Sequence, residues 1–90
     1  MNVEDKQPLS FNTRILVTEY KTPDGEITPW FQAHEVYYDK EGTPNGYTAN
    51  GITTGGENVK ELEWQLGEMK KALDKPFLWG DDRFPMEYSP

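Results

Sequence analysis

Only one stretch of this chain carries a helical repeat, and that restricts what the rest can be. Val59, Leu62, Leu66, Met69 and Leu73 step by 3, 4, 3 and 4, which lines them up in a single apolar stripe. Asn58 stands before the stripe as an N-cap, and Glu61 three residues later completes a capping-box pattern. Glu57 lies near the positive end of the helix dipole, and Lys70, Lys71 and Lys75 lie near the negative end. Pro76 stops the helix. Gly67 inside it costs about 1 kcal/mol relative to Ala, and close approach to a sheet is the expected reason for it. Trp64 falls off the stripe and is expected at a border or an interface.

Upstream of the helix the periodicity changes to two. In 11–20, FNTRILVTEY, Phe11, Ile15 and Val17 fall on one face. Asn12, Arg14, Leu16, Thr18 and Tyr20 fall on the other. Pro23-Asp24-Gly25 then forms a turn, because Pro presets φ and Gly accepts a positive φ. A second strand runs from Ile27 to about Tyr38, with Pro29 near its start or on an edge. Its alternation is uneven. Either a bulge near His34-Glu35 gathers Phe31, Ala33, Val36 and Tyr38 on one face, or the strand is covered on both faces. Residues 39–46 read as a loop and 47–52 as a short third strand. Phe77-Leu78-Trp79 can add an edge strand. The fold expected is α+β: three or four antiparallel strands with one helix across one face. The organisation expected is a mobile arm over 1–9, a single domain over 10–79 and an acidic, aromatic tail over 80–90. The tail's Phe84, Met86 and Tyr88 suggest that it docks on its own domain or on a second subunit.

Charge narrows the partners. The formal net charge is −7, and the basic residues are scattered rather than clustered. Such a surface repels phosphate backbones and anionic headgroups, so neither direct nucleic-acid binding nor membrane binding is expected. No apolar run approaches the roughly 18 residues of a membrane span. No basic segment with an apolar core marks a signal peptide, and a cytoplasmic protein is expected. Cysteine is absent, which removes disulfides, thiol nucleophiles and thiolate metal sites.

The chemistry for catalysis is thin, and no enzyme activity, cofactor or metal is expected. His34 is the only histidine, and Ser10 and Ser89 both lie near the chain ends. His34 with Glu35 and Asp39 makes a poor metal set, since adjacent strand residues point to opposite faces. Gly55-Gly56 precedes a helix N-terminus that could hold an anion, but Glu57 beside it repels one. The abundant feature is the ring side chain: 13% of the chain is aromatic. One helix of 16 residues, about 24 Å long, shields one face of a sheet. The other face would then show rings to water unless a tail, a second subunit or a ligand covers them.

At residue level, Trp30 to Leu78 resembles a family of short uncharacterised phage and bacterial proteins. The resemblance rests on His34-Glu35-Val36-Tyr37-Tyr38-Asp39, Gly42, Thr48, Gly55-Gly56-Glu57, the helix from Val59 to Leu73, and Lys75 to Leu78. Phe77 stands where the family usually has valine. The order of elements is also similar to HicB-type antitoxins. The resemblance brings no catalytic role. It implies a phage or bacterial accessory protein, and such proteins often counter host defence, some by sequestering nucleotide signals.

A non-enzymatic binding protein is therefore expected, a homo-oligomer whose ligand is a small nucleotide-type signal. Arg14, Trp30, His34, Tyr38 and Tyr47 are the expected ligand contacts. Trp64, Trp79 and Phe84 are the expected interface residues. The alternative is an inhibitor or antitoxin-like module whose acidic surface engages a basic partner protein.

Overall fold

The computed structural model describes residues 10–89. The arm expected over 1–9 lies outside the described residues. Four strands form one sheet in the order β3-β2-β1-β4. They are β1 (Ser10–Lys21), β2 (Ile27–Tyr38), β3 (Pro44–Tyr47) and β4 (Leu78–Trp79), with α1 (Val59–Ala72) between β3 and β4.

The β1–β2 hairpin is the frame. It pairs from Ser10↔Tyr38 to Lys21↔Ile27 without a break. Its turn closes through Gly25 N–H to the Thr22 carbonyl at 2.9 Å, with Gly25 at φ 92°. The unbroken register decides between the two readings of β2: there is no bulge at His34-Glu35, and both faces are covered. On the helix face, Ile15 and Ala33 pack with Ala72, joined by Ile52, Met69 and Phe77. On the far face, Leu16, Val36 and Leu78 form a second cluster with Tyr38, Tyr47 and Phe84 around it. A period-two strand buried on both sides looks uneven because neither phase needs to be polar.

Two expectations about strands change. The third strand begins earlier, at Pro44, inside the stretch that reads as a loop. Pro44 is tolerated because β3 is the outer strand, and its missing N–H removes no ladder bond from a neighbour. After Tyr47 the chain does not continue as a strand. The Thr48 and Ile52 amides still donate to Glu35 and Ala33 of β2, at 3.0 and 2.8 Å, and 49–51 arch out between them. The sheet is also mixed, because β4 pairs parallel to β1. β3 and β4 thus run the same way on opposite sides of the hairpin, and α1 is the crossover that joins them.

The helix starts as its sequence requires. Asn58 accepts from Glu61 N–H at 2.9 Å. The Glu61 carboxylate accepts from Glu57 N–H rather than from Asn58, so the box closes one residue early. Gly56 allows this tight approach: a Cβ there would sit 2.8 Å from the Glu61 Cβ. Gly67 does not do what was expected of it, because a Cβ there would meet nothing within 4 Å.

The tail docks on its own domain. Trp79 N–H donates to Met86 and Tyr88 N–H donates to Phe77, both at 2.8 Å, so 86–88 cover the outer edge of β4. Arg83 lies 3.6 Å over the Trp79 ring and pairs with Glu19 and Asp81.

Candidate functional site

The far face of the sheet holds a cleft of about 360 Å³. Its floor comes from alternate residues of β1 and β2, which the pleat turns to one side: Leu16 and Thr18, then Trp30, Gln32 and His34. One wall is the arch 49–51. The other is the turn at Gly80-Asp81, brought back beside Tyr47 when Asp81 N–H donates to the Tyr47 hydroxyl at 2.9 Å.

His34 is 9% exposed and lies edge-on to Tyr47, with ring centroids 5.4 Å apart. Its Nδ1 lies 3.0 Å from the Thr48 carbonyl oxygen. A carbonyl can only accept, so Nδ1 carries the proton and Nε2 is left as an acceptor. Burial lowers the His34 pKa below 6.5, partly offset by the Thr48 hydrogen bond, so the ring is neutral at pH 7. Trp30 is 54% exposed. Its indole N–H donates to the Gln32 side chain at 3.2 Å, and Tyr20 meets its ring edge-on. Gln32 in turn donates to the Ile52 carbonyl. Gly51 is required here, because any Cβ would run into the Gln32 side chain. Asp81, at the rim, is held below the usual carboxylate range mainly by its hydrogen bond with Arg83.

Three of the five expected ligand contacts, Trp30, His34 and Tyr47, thus meet in one cleft. Arg14 and Tyr38 do not line it. Arg14 is the cross-strand neighbour of His34, but its guanidinium donates to the Tyr38 hydroxyl at 2.8 Å and the Pro76 carbonyl at 2.7 Å. Tyr38 passes the chain on to Asn12 at 2.6 Å. Arg14 Nε is buried with no partner among the described residues. This pair ties β1 and β2 to the segment between α1 and β4, so it serves the fold rather than the cleft. No Lys or Arg lines the cleft among the described residues. Thr18, Gln32, Asn50 and Asp81 are the polar side chains of the cleft that sequence reasoning missed.

Of the expected interface rings, Trp79 packs on Tyr88 at 5.0 Å and Phe84 on Tyr47 at 4.8 Å, both within the chain. Trp64 is 66% exposed and borders a second cleft of about 330 Å³ between α1 and the sheet. Phe11, Glu35 and Glu68 border it too. The amides ahead of α1 are already occupied, with Gly55 N–H on Gln65 at 3.1 Å and Glu57 N–H on Glu61 at 3.3 Å. Among the described residues, no group of three or more His, Asp or Glu is placed to hold a metal, and no helix is long and apolar enough to cross a membrane. Comparison with protein-family models, with curated proteins and with solved structures gave no match.

Proposed function

We propose that this chain is a non-enzymatic binding protein whose far-face cleft takes a flat, uncharged, hydrogen-bonding group, such as the base of a small nucleotide-type signal. The supporting observation is the meeting of Trp30, the neutral His34 and Tyr47 in a cleft without a Lys or Arg. The exposed indole offers a stacking surface, worth about 1–3 kcal/mol per base. The His34 Nε2 acceptor and the side chains of Asn50 and Thr18 suit the edge of a heterocycle. With no Lys or Arg lining the cleft among the described residues, a phosphorylated ligand leaves its phosphates in solvent. As an accessory protein of a phage or bacterium, such a chain acts by lowering the free concentration of the signal.

Calorimetric titration with nucleosides and their monophosphates tests this. Binding of at least one nucleoside, no tighter for its monophosphate and weakened by Trp30→Ala, is expected. Heats at baseline across the panel overturn it, as does a phosphate-dependent affinity.

The second cleft favours another reading, a module that engages a basic partner. Phe11 and Trp64 line it with rings, and Glu35 and Glu68 with carboxylates that already accept from the Tyr37 hydroxyl and pair with Lys71, respectively, so an arginine guanidinium would compete with Lys71 there. An arginine-rich peptide should then bind more weakly at high salt and more weakly to Trp64→Ala. Equal binding by both forms removes that reading.

A further inference from the structure

The apolar stripe of α1 is only partly covered by its own sheet: Leu62 and Met69 are half-buried, and Val59, Leu66 and Leu73 are not. The residues turned toward the sheet are Leu62, Gln65, Glu68 and Met69, all half-buried, and Ala72, which is fully buried against Ile15 and Ala33. At about 100° per residue, the stripe is centred roughly a quarter-turn further round the helix. Val59, Leu66 and Leu73 are accordingly 72%, 49% and 60% exposed. Both edges of the sheet are poor places for self-association. Residues 86–88 cover β4, and β3 is short and begins with a proline.

We infer that the stripe is the interface of a homodimer in which two copies of α1 pack antiparallel about a two-fold axis. Written as a heptad, Val59, Leu66 and Leu73 take the a positions and form the exposed centre of the seam, while Leu62 and Met69 at d are half-buried at its sheet-side border. The g positions, Gln65 and Ala72, are on the sheet side. The free flank is e, occupied by Glu63 in the first half of the helix and Lys70 in the second. Neither forms an ion pair within the chain among the described residues. Antiparallel pairing sets Glu63 against the partner's Lys70, and the two-fold repeats that contact with the roles exchanged. Opposed helix dipoles favour the same orientation. A parallel pair would instead place like ends side by side. This charge reciprocity identifies a second copy of the chain as the occupant. A seam of one short helix is smaller than a standard interface, so the dimer dissociates on dilution. The inference does not depend on the cleft.

Sedimentation equilibrium over a range of concentrations is the test. The unmodified chain should approach twice its 10.4 kDa mass as concentration rises. Leu66→Glu should remain monomeric, with circular dichroism confirming that it folds. Glu63→Lys and Lys70→Glu should each weaken association by roughly tenfold, and the double reversal should restore it. A chain that stays monomeric throughout overturns the proposal. So does association indifferent to Leu66→Glu, or equal weakening in the single and double charge variants.

Discussion

His34 shows how much one side chain can be asked to do. It reads in the sequence as a lone histidine on a strand, with nothing to separate a structural role from a functional one. Its neighbours supply the distinction: Thr48 sets the tautomer and burial keeps the ring neutral. The consequence for stability has a definite sign. A folded-state pKa below 6.5 means that the unfolded chain takes up the proton first. Stability is therefore fully present above pH 6.5 and declines as pH falls through the folded pKa. Thermal melts should show a melting temperature that drops on acidification from pH 6.5, ahead of carboxylate titration. His34→Gln should flatten that part of the profile. An identical acid limb in both proteins would contradict the assignment.

At the scale of elements, short-range signals were legible and long-range ones were not. The faces of β1, the turn at Pro23-Asp24-Gly25 and the cap at Asn58 depend on residues within a few positions of one another. The structure has all three. The start of β3 at Pro44 was hidden because its outer position, not its composition, makes a proline acceptable there. The stripe on α1 was plain, but periodicity says which residues share a face and not what that face meets. Gly67 follows the same rule, as its open surroundings were invisible before the helix was seated. Gly67→Ala should therefore stabilise the chain by about 1 kcal/mol, and Asn58→Ala should destabilise it by about 1 kcal/mol. Chemical denaturation measures both, and a destabilising Gly67→Ala would mean that something does press on that position.

The chain closes on itself over part of its excess of rings, while Phe11, Tyr20, Trp30, Phe31 and Trp64 stay exposed. The expected bare face is covered by Tyr47 and Phe84 on one side of β4, while Tyr88 packs on Phe31 and Trp79 on the other. The tail is thus part of the sheet's support. Phe84→Ala should cost about 2–3 kcal/mol, slightly below a fully buried phenylalanine, and a chain ending at Trp79 should lose more. A truncated chain with unchanged denaturation would show that 86–88 contribute nothing to the edge. Half of the candidate site was legible in the same sense. Period two puts Trp30, Gln32 and His34 on one face, but only the arch at 49–51 and the return of Asp81 make that face a cleft. Arg14 is not legible as a fold residue in the sequence, because its partner Pro76 lies 62 residues away in the segment that follows the helix. The most direct test of the cleft as a binding site is a two-dimensional amide NMR titration with nucleosides. Shift changes concentrated at Thr18, Gln32, His34, Asn50 and Asp81, and absent in Trp30→Ala, are the predicted result. An unperturbed spectrum, or changes centred on another surface, would contradict it.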